Sequence, residues 1–367
     1  MTSTTEGSAT GGWVVDWELA ERVAVRLGAR APFAGAGQLV GLEADFDRHT
    51  HRAEGLVTDV TGLRSLAGDA RARVVDRPGW IRANLASFQR LLRPLLEPTQ
   101  SDLLLGSLSR LGPQATAVEI GVVLGWMSTR VLGQYDLLVL EDEAAEDQDV
   151  LYYVGPNVVA LERRYAFSSE EFRLWLALHE VTHRAQFTGV EWMRGHYLSL
   201  VRTLFENIEA EPGRLLTGLR NTLARASSGD KHAPSSGVLS LVTTPSQQRT
   251  LDRIAGLMSL LEGHGDITMD RAGAGVVSGA GRFSQVMRDR RRSASGATRV
   301  FQRLVGLEAK LAQYAQGEAF IIAIESVGGP KLLDRVWEHP VNLPDLAEIR
   351  DPDLWLSRIV TPASIDQ

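Results

Sequence analysis

The spacing of apolar residues divides the chain into a run of amphipathic helices, interrupted once by short stretches of a different period. Asp16 precedes a helix in which Leu19, Val23 and Val25 are apolar while Glu18, Glu21 and Arg22 face outward. A second helix is expected at residues 39–56 and a third at 80–96, where Ile81, Leu85, Phe88, Leu91 and Leu92 form a stripe between Pro78-Gly79 and Pro98. Residues 115–132 form a fourth, in which Gly121 and Gly125 let another helix approach closely. The helix at 171–187 is a candidate partner for it, and Gly133 reads as its C-cap.

The pattern then changes. Residues 136–140 (DLLVL), 150–154 (VLYYV) and 157–161 (NVVAL) are short β-type runs, and an acidic loop separates the first two. An edge strand here could add an extended peptide to the sheet; a small structural sheet is the alternative. Helical spacing returns at 171–187, at 192–208, at 248–263 and at 299–327, where Gly328-Gly329-Pro330 stops the last helix. Residues 227–245 read as a long surface loop or flap, and 288–292 as a solvated basic run. The tail at 331–367 carries Trp337, Leu343, Leu346, Ile349 and Trp355, so it should wrap onto the core. The fold class expected is mainly α with a small β-sheet. Its organisation is a disordered tail at 1–12, a helical region at 13–133 and a further region at 134–367 that ends in the wrapping tail, the last two compatible with one continuous domain.

Composition narrows the chemistry. The 367 residues are 44% hydrophobic and 23% charged, with a net charge of −6, which argues against a nucleic-acid or anionic-membrane partner. Cysteine is absent, so disulfides, thiolate ligands and a cysteine nucleophile are excluded. The start has neither a basic nor an apolar segment of a secretory signal, and the most apolar stretch, 120–129, is too short to span a bilayer. A cytoplasmic location is the expectation.

The helix at 171–187 reads EFRLWLALHEVTHRAQF and holds His179-Glu180-Val181-Thr182-His183. Histidines four apart share one helix face, so both imidazoles can reach one zinc ion, with Glu180 beside it as general base. Ser168 followed by Glu171 is a capping-box pattern at the start of this helix. The bland reading is two histidines satisfied within an ordinary core helix. Histidine is scarce, eight in the chain, and an inward imidazole is costly to bury, which favours the metal.

A catalytic zinc needs a third ligand and an open position. Ile254, Met258 and Glu262 fall at i, i+4 and i+8 of the helix at 248–263, placing Glu262 on or beside the buried stripe. His264 is the rival ligand, after a helix-breaking Gly263, or else a donor to the oxyanion of the transition state. Asp266 is a candidate acceptor for a ligand histidine. His196 is a weaker candidate, while His49, His51, His232 and His339 sit in polar or loop contexts and should be solvated. Asp136, Glu141, Asp142, Glu143, Glu146 and Asp147 read as a solvated acidic run.

With those residues placed, the chain resembles the zincin-like metallopeptidase type 2 family, found largely in actinobacteria, some members of which are labelled coenzyme F-420 biosynthesis-associated. The resemblance runs from Trp13 onward through VDWELAERVA, LGQYDL at 132–137, ALHEVTHRAQF at 177–187, SLLEGHGDITMD at 259–270 and LPDLAEIRDPDLWLSRI in the tail. It implies a zincin-like, mainly helical fold and a metal-dependent hydrolase. The expectation is a zinc metallopeptidase acting on a peptide or protein, with His179, His183 and Glu262 on zinc, Glu180 as base and His264 as helper. A non-catalytic scaffold, linked or not to the deazaflavin, is the alternative. No flavin or phosphate cradle is legible.

Overall fold

The computed structural model describes residues 15–31, 41–92, 112–136, 149–206, 245–292 and 307–360. The flap at 227–244, the acidic loop at 141–147 and the N-terminal tail fall outside them, as do residues 137–140 of the first expected strand.

The first helices follow the expected pattern with small shifts. Asp16 caps α1 (Trp17–Gly28) by accepting from the Leu19 N–H at 2.8 Å. Next come α2 (Leu42–Thr61), β1 (Arg71–Val75), α3 (Arg77–Leu92), α4 (Gly112–Ser128), β2 (Gly133–Tyr135) and β3 (Val150–Val154). The strand β1 escaped the sequence pattern because Arg71 and Arg73 break up its apolar run. Gly121 and Gly125 do admit a close helix, but the partner is α1 and not the helix at 171–187. A Cβ on Gly121 would lie 2.8 Å from the Val23 Cβ, and one on Gly125 2.8 Å from the Ala24 carbonyl oxygen.

The sheet has the order β1-β3-β2. Parallel β1 and β3 pair from Arg71↔Val150 to Val75↔Val154, and antiparallel β2 pairs from Gly133↔Tyr153 to Tyr135↔Leu151. Every residue of β3 is buried, as its unbroken apolar sequence requires of a central strand covered on both faces. The third expected strand is instead the start of α5 (Gly155–Tyr165). Pro156 occupies its first turn, where a missing N–H costs nothing, so a β-branched run can still enter a helix.

After α5 the chain is helical: α6 (Ser169–Thr188), α7 (Met193–Glu206), α8 (Pro245–Gly273), α9 (Ala280–Arg292) and α10 (Leu307–Gly328). Short helices α11 (Pro330–Leu333), α12 (Arg335–Glu338), α13 (Leu346–Arg350) and α14 (Pro352–Val360) build the tail. Helix α6 lies in the main core, where Phe172, Leu174, Leu178 and Val181 join Phe46 of α2, Leu151 and Tyr153 of β3, Leu261 of α8 and Phe283 of α9. A second core unites α8, α10 and the tail around Phe320 and fully buried Trp355, so the tail does wrap inward. A third joins α1, α3 and α4 around Trp80. Among the described residues no helix is long and apolar enough to cross a membrane.

Two polar residues expected in water are buried. The stripe of α2 runs through Phe46, His49, Thr50, Ala53 and Val57, so helical spacing carries His49 inward, 3.5 Å from Glu170. Asp136 follows β2 into the core beside Ser87 of α3.

The contact between α8 and α10 is closest where Gly263 meets Gly317. A Cβ on Gly317 would collide with the Ser259 carbonyl, 2.7 Å from its carbon. Gly317→Ala is therefore expected to destabilise the protein by about 3 kcal/mol. A urea midpoint equal to wild type would contradict this crossing.

Candidate metal centre

Helix α6 begins at Ser168, whose hydroxyl accepts from the Glu171 N–H. The Glu171 carboxylate does not close the reciprocal box. It accepts from the Ser278 hydroxyl at 2.7 Å and the Gly279 N–H at 2.8 Å, tying α6 to the turn before α9. From this start the 3.6-residue period places His179 and His183 one above the other. Their rings meet edge to face, centroids 4.5 Å apart, with the two Nε2 atoms 3.1 Å from each other.

The partner comes from α8, which does not stop at Gly263. It continues to Gly273 because Gly263 serves a close helix crossing and the surrounding turns supply the packing that outweighs its poor propensity. The extension brings Glu262, His264 and Asp266 onto one ordered helix. Glu262 Oε2 lies 3.5 Å from His183 Nε2 and 3.9 Å from His179 Nε2. One potential ligand atom from each of His179, His183 and Glu262 lies within 4.8 Å of the others. Gly265 borders the rings: a Cβ there would stand 3.3 Å from His183 Cε1. The three side chains keep 24%, 15% and 18% of their surface exposed, so the cluster opens towards solvent.

Glu180 lies between the two histidines in sequence, feels the charges of His183 and Glu262, and is nearly fully buried. It packs on Gly133 at the start of β2, where a Cβ would lie 2.6 Å from the Glu180 Cδ and 2.7 Å from its Cγ. Gly133 is thus a seat for a carboxylate rather than a helix cap, which the sequence pattern alone did not disclose. Burial lifts Glu180 to about 7; the His183 charge opposes this, Glu262 adds to it, and a backbone hydrogen bond from Tyr135 opposes it. Burial pulls His183 down, but the Glu262 charge and hydrogen bond, helped by Glu180 and Gln186, carry it up to about 9.

His264 is not part of the three-donor cluster. Its Nδ1 is 2.9 Å from Gln186 Nε2, its ring meets Trp337 edge to face at 5.0 Å, and burial, with His183 and Arg271 nearby, lowers it to about 4. Asp266 is half-buried on the same helix. His196 packs on Trp192, outside the cluster. The sequence pattern overlooked Gln186, which is fully buried three residues after His183. A lone amide on the inward face of an apolar stripe was the available signal. It also overlooked Arg184, fully buried and bonded to Asp149, Glu54 and the Gly68 carbonyl.

The donor set suits a divalent cation of zinc's kind. Two imidazole nitrogens and a carboxylate oxygen offer lone pairs to one small space, and such a group needs a positive charge among its members. Three protein donors leave room for water or substrate.

The helical scaffold with this donor set is the architecture of a metallopeptidase-like protein. A family described as zincin-like metallopeptidase matches residues 15–356, and the chain belongs to that family. Among solved structures it is similar to a crystal structure described as a "putative hydrolase with a novel fold" from Chloroflexus aurantiacus. The two share 31% identity over 95% of this chain and 99% of that chain, with a TM-score of 0.69. No curated protein matches.

The seat of Glu180 is directly testable. Gly133→Ala is expected to lower stability by about 1–3 kcal/mol, because the buried carboxylate must shift to admit a methyl group. A denaturation midpoint unchanged from wild type would mean that Glu180 is not confined there.

Proposed function

We propose that the protein is a zinc-dependent peptidase in which His179, His183 and Glu262 hold the metal and Glu180 is the general base. The observation that carries this reading is the meeting of the three donors within 4.8 Å, from two helices far apart in sequence. The family description supports the substrate class, a peptide or protein amide. When bound, zinc supplies Lewis acidity, polarising a carbonyl and easing the loss of a proton from water.

The remaining steps belong to the chain. Glu180, held on Gly133 and tuned close to neutrality by burial, takes the proton of the attacking water on a carboxylate oxygen. It then gives that proton to the nitrogen of the departing amine, so the residue returns to its starting state. The two histidines fix the reaction centre on a rigid helix whose neighbours are core residues, which limits misplacement of the reacting groups. If His264 steadies the oxyanion, the hydrogen must come from Nε2, since Nδ1 faces the Gln186 amide.

Protein purified without chelator is expected to carry about one zinc per chain and to cleave members of a peptide library. Glu180→Gln should retain the zinc and lose on the order of 10²–10⁴ in rate. Wild-type protein devoid of metal would sink the proposal, and zinc-loaded protein with no cleavage would favour a scaffold role.

A further inference from the structure

We infer that Gln186 is a positioning residue for the metal centre: its amide holds the His183 ring with Nε2 bare towards the site and ties the ligand-bearing turn of α8 to α6. The inference rests on the zinc reading of His179, His183 and Glu262.

The hydrogen-bond chemistry leaves one arrangement. Gln186 Nε2 is 2.9 Å from the Leu261 carbonyl oxygen, which can only accept, so the NH₂ end of the amide faces α8. The amide oxygen therefore faces His183 Nδ1, at 3.0 Å. An amide oxygen also can only accept, so the His183 hydrogen sits on Nδ1. The lone pair of the neutral ring is thereby left on Nε2, the atom 3.5 Å from Glu262. The second N–H of the amide points to His264 Nδ1 at 2.9 Å, which must be bare to accept it.

Both N–H groups of this fully buried amide are thus used and its oxygen is engaged, and two of the three bonds involve imidazoles. Leu261 adjoins Glu262, so the same side chain sets the main chain from which the third ligand projects. A staple between α6 and α8 would need only the bond to Leu261. The oxygen aimed at His183 adds control of which ring nitrogen is available to a cation, and such outer partners typically alter metal affinity 10–100-fold.

The test uses the full chain, stripped of metal and titrated with Zn²⁺ alone against a chromophoric chelator. Wild type, His183→Ala, Gln186→Leu and Gln186→Glu are compared, with thermal melts on each. Gln186→Leu is expected to weaken zinc binding about 10–100-fold. Gln186→Glu should recover part of that loss, because a carboxylate accepts the same Nδ1 hydrogen although it cannot donate to Leu261 or His264. Long-range ¹⁵N–¹H spectra of zinc-loaded wild type should show the His183 hydrogen on Nδ1. Should either variant fail to fold, that spectrum decides alone. Gln186→Leu binding as tightly as wild type while His183→Ala does not would overturn the role of Gln186 and leave the metal site standing. Equal weakening in the Leu and Glu variants, or a His183 hydrogen on Nε2, would also overturn it. Wild type that takes no zinc removes both the metal reading and this inference.

Discussion

Three groups that can each offer an electron pair to a cation meet in one small opening, and the rest of the fold holds them together there. Nε2 of His179, Nε2 of His183 and a carboxylate oxygen of Glu262 stand at hydrogen-bond or ion-pair distances from one another. Without a positive charge among them, partial burial of such donors is unfavourable. The raised His183 basicity expresses the same demand, since the Glu262 charge beside the ring favours a positive charge there. A cluster of this kind persists only if the elements that bear it cannot spread apart.

Two close approaches supply that restraint. Helix α8 reaches past Gly263 because α10 lies directly against its backbone at Gly317, and this crossing leaves no space for side chains. The uninterrupted helix then carries Glu262 at the correct height beside the histidines. On the opposite flank β2 comes so near α6 that only glycine fits at position 133, and Glu180 fills the space a side chain would take. Close packing of this type resists small displacements, since interiors are as dense as organic crystals.

Polar bonds set orientation within that frame. Arg184, one turn beyond Glu180 on α6, binds Asp149 before β3, Glu54 of α2 and the Gly68 carbonyl. Asp149 adopts a left-handed backbone, φ 55°, and its carboxylate also accepts from the Tyr135 hydroxyl. Tyr135 belongs to the strand whose backbone bonds Glu180. The network therefore links α2, α6 and the sheet around the base. Buried ion pairs of this sort give little net stability, but loss of one member strands the others, so the arrangement tolerates few alternatives.

Local periodicity sufficed for most of the longer helices, for the central strand and for the motif, because an α-helix puts residues four apart on one face whatever surrounds it, but it missed α5, α9 and the short helices of the tail. The stripe Ile254–Met258–Glu262 likewise marked the third donor, since an acid on an inward face is conspicuous in any sequence. Other features were settled by contacts between distant segments. Residues 157–161 look β-branched yet enter a helix after Pro156; Gly263 looks like a stop yet lies mid-helix; His49 looks polar yet is buried. Composition carries no record of which surfaces will meet, and glycine reads alike whether it ends a helix or receives another backbone. The amino-acid order by itself determined which residues could bind a metal. Only tertiary packing decided that three of them converge, that Glu180 rests on Gly133 and that Gln186 lies behind His183, because each of these depends on the distance between elements that the chain connects through many intervening residues.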